Sequence, residues 1–179
     1  EGIDKHLSLD EKVHDKQILK RNSYSFEVIH TPGHLSNHIC LAVKEKKALF
    51  SGDHVMGWAT TLISPPDGDL GSFMTSLEEL SKRDEQIYYP GHGKPLREPK
   101  KMVLAQIAHR RDREKQILSS IAKTSRTPAE IVDNVYIDLN PVLKPAAVRN
   151  VLAHLIDLYE RGNVSVDTFA LSAKFSKVN

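Results

Sequence analysis

Alternating apolar and polar positions in the first half of the chain predict a β-sheet. In YSFEVIH, residues 24–30, the apolar and aromatic side chains recur at every second position, which is the period of a half-buried strand. Phe73, Leu77 and Leu80 recur at helical spacing and predict an amphipathic helix over 72–83. Short apolar runs ended by turn residues predict further strands at 38–43, 48–53 and 86–89.

The second half of the chain has the pattern of a small helical domain. A long helix is predicted to start at Pro99, with apolar positions at 103, 104, 107, 117, 118 and 121. Thr127 and Glu130 have the spacing of a capping box, and an apolar stripe from Pro145 ends at Gly162. NVSV and FALSAKF then predict two short strands, at 163–166 and 169–175. We therefore predict two domains: residues 1–97, and residues 98–179 as a linking helix with a winged-helix-like domain.

Composition limits the class of protein. The chain has 179 residues, of which 40% are hydrophobic and 27% charged, as in ordinary globular proteins. Residues 1–22 are polar with no strong period, and their first 16 lack the apolar core of a secretory signal. No apolar run approaches the roughly 20 residues of a membrane helix. We therefore expect no membrane partner. Cys40 is the one cysteine, so we expect no intramolecular disulfide, an inert buried thiol and a cytoplasmic protein.

Charge is distributed unevenly along the chain. Residues 1–93 carry a net charge of −4 and residues 94–179 of +6, with a dense stretch at HRRDREK, residues 109–115. One interpretation is a solvated helix face on which Arg110 pairs with Glu114 one turn later. The other is an anion-binding face for a small anionic substrate or single-stranded RNA, carried by Arg110, Arg111 and Arg113.

Three motifs place a metal-binding residue type at the carboxyl end of a predicted strand. They are HTPGH at 30–34, SGD at 51–53 and YPGHG at 89–93. Imidazole and carboxylate groups are suitable ligands for Zn²⁺, and a carboxylate can bridge two ions. Each motif alone is also typical of an ordinary turn. All three in this order favour a metal site formed by His34, Asp53 and His92.

This order of motifs resembles the metallo-β-lactamase superfamily of hydrolases over about residues 24–97. The helix containing HRRDRE and the segment AAVRNVLAHLIDLYERG, residues 146–162, resemble the branch with a winged-helix tail, near the hydroxyacylglutathione hydrolases and the mitochondrial endoribonuclease of the group. The resemblance implies an α/β fold of the αββα sandwich type with two zinc ions at its edge. By motif, His34 binds one zinc, His92 binds the other, and Asp53 bridges them as the catalytic residue. A zinc-activated water then attacks an ester, thioester or RNA phosphodiester.

One part of the family pattern is absent. The signature HxHxDH does not occur, and neither His6 nor His14 fits it. The chain therefore resembles the C-terminal half of the sandwich, with two ligands for each zinc, and two ions, one or none are open alternatives. A truncated form, a homo-oligomer that completes the layers, and a non-catalytic interaction module with a degenerate metal site are also open.

Other residues have competing interpretations. His38 and His54 are candidate additional ligands, although His38 begins a strand, where packing or capping is the simpler role. His54 directly follows Asp53, and adjacent residues rarely both face one ion. His30 and His154 are expected to be structural, and Trp58 either lines a substrate pocket or covers the core. Leu35 stands where the family often has Thr or Ser. For a nucleic-acid-binding module, the recognition helix is residues 145–161, with few basic residues nearby: Lys144, Arg149 and Arg161.

Overall fold

A five-stranded mixed sheet forms the first part of the protein. The computed structural model describes residues 11–57 and 60–178. The strands follow one another across the sheet in chain order. All neighbouring strands are antiparallel except the last pair, which is parallel. The strands are β1 (Ile18–Arg21), β2 (Tyr24–His30), β3 (Ile39–Val43), β4 (Ala48–Gly52) and β5 (Ile87–Pro90).

The four predicted strands are confirmed as β2 to β5, whereas β1 was missed. β1 is an edge strand paired with β2, and its side chains are mostly exposed. A strand that buries neither face has no reason to alternate apolar and polar residues, so its sequence carries no period-2 signal. The available signal was the turn, because Asn22 adopts a left-handed φ of 54° between Arg21 and its partner Tyr24.

Two helices, α1 (Leu70–Ser81) and α2 (Pro99–Ser120), contribute to a core on one face of this sheet. α1 begins two residues before its predicted start, because the Asp69 carboxylate accepts a hydrogen bond from the Ser72 amide at 2.6 Å. The core combines side chains from both helices with those of β3, β4 and β5; its members include Cys40, Leu49, Phe73, Leu77, Tyr88 and Val103.

The other face of the sheet is apolar and only partly covered. The register aligns Leu41, Phe50 and Tyr89 on neighbouring strands of this face. Phe50 is 46% exposed and Tyr89 38% exposed, and their rings stack at 5.5 Å. A sheet with helices on one face and half-exposed aromatic rings on the other has the features of one layer pair of a larger sandwich.

The C-terminal part has its own core. Its elements are α3 (Pro128–Val135), α4 (Lys144–Glu160), β6 (Val164–Ser165) and β7 (Ser176–Lys177). The capping box is confirmed, because Thr127 and Glu130 bond each other's backbone amides. The strand predicted at 169–175 is wrong: this segment is mostly exposed, and pairing begins only at its last residue, Phe175, which forms an antiparallel bridge with Arg126. The core side chains include Ile117, Ile131, Val132, Leu155, Leu158 and Phe175.

α2 joins the two cores. Val103 and Ile107 pack in the first core and Ile117 in the second, whereas Leu104, predicted as an apolar position, is half exposed. The domain boundary near residue 97 stays a prediction. In the part of the chain that is described, none of the helices is long and apolar enough to cross a membrane.

The HRRDREK stretch is a solvated face only in part: Arg111, Asp112 and Lys115 are exposed, whereas Arg110 is buried. Arg110 is only 4% exposed, and Glu114, its predicted partner, pairs with Arg161 instead. Arg111 pairs with Glu78 of α1, and the Arg113 guanidinium lies 3.8 Å from the centre of the Tyr136 ring. These arginines contact residues of other elements. Arg110 is therefore neither a solvent-exposed partner of Glu114 nor an exposed anion-binding group, and both predictions for its side chain are wrong. Binding of an anionic substrate or RNA stays a prediction without support from this stretch.

His154 has the structural role expected of it, and it makes the stability of the fold pH-dependent. Its side chain is 1% exposed on α4, and burial together with the nearby Arg110 lowers its pKa to about 3. Below pH 6.5 the unfolded chain binds a proton at this residue that the folded chain does not. Stability from this group is therefore present above pH 6.5 and is lost as the pH falls toward 3.

We predict that His154→Leu removes about 2 kcal/mol of the decrease in unfolding free energy between pH 7 and pH 5. Urea unfolding at both pH values measures this. As a control, Leu155→Ala on the same helix should lower stability by roughly 2–5 kcal/mol at both pH values without changing their difference. An unchanged pH dependence in His154→Leu contradicts the assignment.

Candidate metal centre

The three predicted site residues follow three strands that run in the same direction. His34 comes after β2, Asp53 directly after β4, and His92 after β5. β2 and β4 are both antiparallel to β3, and β5 is parallel to β4, so their carboxyl ends lie at one edge of the sheet. The topology therefore delivers three side chains, distant in sequence, to a common position.

The structure brings these side chains together around the Asp53 carboxylate. His34 Nε2 lies 3.8 Å from Asp53 Oδ2, and His92 Nε2 lies 3.6 Å from Asp53 Oδ1. Each imidazole thus faces a different carboxylate oxygen. The side chains are 24%, 33% and 67% exposed for His34, Asp53 and His92, so the group is open to solvent. The sequence correctly predicted that the three groups meet; their role as metal ligands stays a prediction.

A backbone carbonyl fixes the orientation of the His34 ring. Its Nδ1 lies 2.7 Å from the Leu62 carbonyl oxygen. A carbonyl oxygen can only accept, so Nδ1 carries the proton and donates. Nε2 is then left with its lone pair directed toward Asp53. This is the arrangement in which a metal-binding histidine is held by a hydrogen bond through its other ring nitrogen.

The separations suit zinc as a shared partner of each pair. Zinc lies about 2.0–2.2 Å from imidazole nitrogen and carboxylate oxygen, and two such bonds span an N···O separation of roughly 3–4 Å. In residues 11–57 and 60–178, no group of three or more His, Cys, Asp or Glu side chains is gathered closely enough to hold a metal ion by itself. What the residues present offer is two pairs that share Asp53, one with His34 and one with His92.

Two glycines make room for this arrangement. A Cβ on Gly91 would lie 2.6 Å from Asp53 Oδ1, so a side chain there would displace the carboxylate. Gly52 has a left-handed φ of 51°, and a Cβ there would lie 2.5 Å from His38 Nε2. Gly52 and Gly91 thus both lie close to side chains of the site, and Gly52 also adopts the left-handed conformation that favours glycine.

His38 supports the site and is not placed as a ligand. Its Nε2 accepts the Asp53 amide at 3.2 Å, so its Nδ1 carries the proton and donates to Thr31 Oγ1 at 2.8 Å. Both ring nitrogens are therefore engaged. Burial, followed by the charge of His34, lowers the pKa of His38 and keeps the ring neutral as this pairing requires. Thr31, which lies within the HTPGH motif and is 1% exposed, was not identified from the sequence as part of this network.

The other candidates are structural. His54 is fully buried with its ring 4.3 Å from that of Phe73, and burial lowers its pKa to about 3, so its proposed role as a ligand is not supported. His30 Nε2 contacts the Ser36 carbonyl at 3.0 Å, in line with a structural role. Burial raises the pKa of Cys40 to about 12, as expected of an inert thiol. Trp58 lies outside the described residues.

Comparisons with known proteins agree with the fold and the motifs. Residues 5–92 match the model of the metallo-β-lactamase superfamily, and residues 127–169 match the β-lactamase associated winged helix domain. The chain belongs to the metallo-β-lactamase superfamily. A β-lactamase domain protein from Burkholderia ambifaria shares this superfamily fold over 94% of the chain and 52% of its own, with a TM-score of 0.84 at 21% identity. The expected half-sandwich with a winged-helix tail is confirmed.

One curated relative of this chain is named as a β-lactamase-like protein and another as a thioesterase. The β-lactamase-like protein 2 homolog of Drosophila melanogaster is 33% identical over 92% of the chain and 55% of the relative. An atrochrysone carboxyl ACP thioesterase of Paecilomyces divaricatus is 30% identical over 69% of the chain and 41% of the relative. The chain thus spans about half the length of the relatives it matches.

We predict that His38→Leu speeds hydrogen exchange of the Asp53 amide by up to about tenfold, because a hydrogen bond of this kind contributes roughly 0.5–1.5 kcal/mol. Amide exchange followed by NMR measures this. His30→Leu is the matched control, since the His30 ring contacts Ser36 and should leave the Asp53 amide unaffected. Equal exchange in wild type and His38→Leu would show that the contact does not hold the Asp53 backbone.

Proposed function

We propose that this chain provides half of the dinuclear zinc site of a hydrolase whose substrates are thioesters or related esters. One observation carries the proposal: the Asp53 carboxylate lies between two imidazole nitrogens, 3.8 and 3.6 Å away, each facing its own oxygen. Membership of a superfamily of hydrolases and the thioesterase names among its relatives support the reaction class.

The residues present would divide the work in the following way. His34 and His92 would each bind one zinc through Nε2, and Asp53 would bind both through its two oxygens. Zinc bound in such a site lowers the pKa of water and stabilises negative charge on a carbonyl oxygen. His38 holds the Asp53 backbone through the amide, which keeps the bridging carboxylate in register with both imidazoles. The 67% exposure of the His92 side chain leaves one side of the site accessible to a substrate.

The site needs further ligands from outside the described residues. Catalytic zinc sites usually have three protein ligands and a water, and each ion would receive two ligands here. We propose that the others come from another segment of the protein or from a second copy. The half-exposed apolar face of the sheet, at Phe50 and Tyr89, offers a surface on which a completing layer can pack.

A nucleic-acid-binding role has less support from the contacts of α4. The cationic residues of the expected recognition helix all have partners within the protein. Lys144 pairs with Asp133, Arg149 donates to Ser64 Oγ at 3.0 Å, and Arg161 pairs with acidic groups including Asp157. Carboxylates offset two of these three charges, so the helix presents little net positive charge to a phosphate backbone. We therefore favour the hydrolase over the interaction module.

The metal site is tested by zinc binding to this chain. We predict that wild type binds zinc and that Asp53→Asn, which keeps the shape but removes the charge, lowers the affinity by at least about 10–100-fold. Isothermal titration with zinc alone measures this. Asp67→Asn is the control, since that carboxylate contacts Ser36 and not the imidazoles. Equal affinity in Asp53→Asn, or no zinc binding in wild type, contradicts the proposal.

The substrate class is tested with the zinc-loaded protein in its natural oligomeric state. We predict hydrolysis of an S-acyl pantetheine thioester and no cleavage of single-stranded RNA. Arg111→Gln should change the thioester rate by no more than about twofold, because this arginine is exposed and pairs with Glu78. Salt-sensitive RNA cleavage without thioester hydrolysis would refute the substrate assignment.

A further inference from the structure

Residues 60–64 connect the candidate metal centre to the C-terminal helices. This segment lies outside the helices and strands, between the site and the helices α2 and α4. Thr61 and Ile63 are buried, while Leu62 between them is 38% exposed. Buried backbone groups outside helices and strands need other hydrogen-bond partners, such as side chains. The identity of those side chains shows what holds the segment in place.

Two polar side chains hold the backbone on either side of Leu62. Arg110 of α2 donates to the Thr61 carbonyl. Asn150 of α4 accepts the Ile63 amide at 3.0 Å, and the same Oδ1 lies 3.4 Å from the Arg110 guanidinium. Arg110 and Asn150 therefore contact each other and hydrogen-bond to the peptide groups before and after Leu62.

These hydrogen bonds set the direction of the Leu62 carbonyl. The Leu62 carbonyl and the Ile63 amide belong to one planar trans peptide group, so the hydrogen bond from the Ile63 amide to Asn150 directs the Leu62 carbonyl to the opposite side. The Leu62 carbonyl oxygen then accepts a hydrogen bond from His34 Nδ1, with 2.7 Å between the nitrogen and the oxygen. His34 Nε2 faces Asp53. Thr61 Oγ1 also donates to the Asp53 carbonyl, so the same segment contacts two of the three predicted ligands.

Burial of the Arg110 cation lowers the stability of the folded chain, so a functional reason for its position is expected. Its guanidinium lies 5.3 Å from the centre of the Phe73 ring, and none of the ion pairs in the described part of the chain includes it. A buried cation without a carboxylate partner lowers stability compared with an apolar residue of similar size. Its contacts with a backbone carbonyl and with Asn150 point to a positional function.

We propose that Arg110 and Asn150 are positioning residues that act through residues 61–63 to hold the His34 ring with Nε2 directed at Asp53. In this way the helices of the C-terminal half take part in forming the metal site. The expected effect on zinc affinity rests on the proposed function. The orientation of the His34 ring does not, and it can be measured without zinc.

The direct test is the tautomer of His34, measured by long-range ¹H–¹⁵N NMR of the histidine rings in the metal-free chain. Wild type should show the Nδ1–H form. Asn150→Leu and Arg110→Met should each shift His34 toward the mixed tautomers of a freely solvated imidazole. Asn150→Asp keeps an oxygen acceptor for the Ile63 amide and should restore the Nδ1–H form, which a merely space-filling role for Asn150 does not predict.

Zinc titration of the same variants provides the second readout. Asn150→Leu and Arg110→Met should bind zinc about 10–100-fold more weakly, the cost typical of losing a hydrogen bond that orients a ligand. Arg113→Met is the matched control, because this arginine lies on the same helix but contacts Tyr136. Asn150→Ser, whose smaller side chain avoids overpacking and is too short to reach the Ile63 amide, replaces Asn150→Leu if the latter does not fold.

An unchanged His34 tautomer in folded Asn150 and Arg110 variants would overturn the inference. So would an equal loss of zinc affinity in Arg113→Met, since that result would show a general effect of destabilising α2. If wild type binds no zinc, the proposed function fails, and the tautomer alone then decides whether these residues position His34.

Discussion

Strands β2, β4 and β5 run in the same direction, and this brings their carboxyl ends to one edge of the sheet. The parallel pairing of β4 with β5 requires a crossover, which α1 provides over the face of the sheet. Each of the three strands then ends in a turn that carries one polar side chain to that edge. Without this shared direction, Asp53 could not lie within 4 Å of both His34 and His92.

The two halves of the chain are physically coupled at this edge. An extended segment with buried backbone groups needs hydrogen-bond partners, and the helices supply them as side chains rather than as a strand. Arg110 and Asn150 therefore bring the C-terminal helices within two hydrogen bonds of His34. Within the basic stretch of α2, Arg110 and Arg113 likewise contact other parts of the molecule, the Thr61 carbonyl and the Tyr136 ring.

Sequence reasoning succeeded where a local pattern determines the structure. Alternation predicted β2, and turn motifs at strand ends predicted that His34, Asp53 and His92 converge. It failed where the partner is distant or is a backbone atom. Arg110 has Glu114 at helical spacing, yet its partners come from two other parts of the chain. The Leu62 carbonyl has no side-chain signature at all, so its contact with His34 was not predictable from residue types.

The central claim is that zinc binds between the Asp53 carboxylate and the two imidazoles. Crystals grown with zinc, with anomalous diffraction measured at the zinc absorption edge, test it most directly. We expect anomalous peaks between His34 Nε2 and Asp53 Oδ2 and between His92 Nε2 and Asp53 Oδ1. Zinc bound only at other histidines, or no anomalous peak beside Asp53, would contradict it.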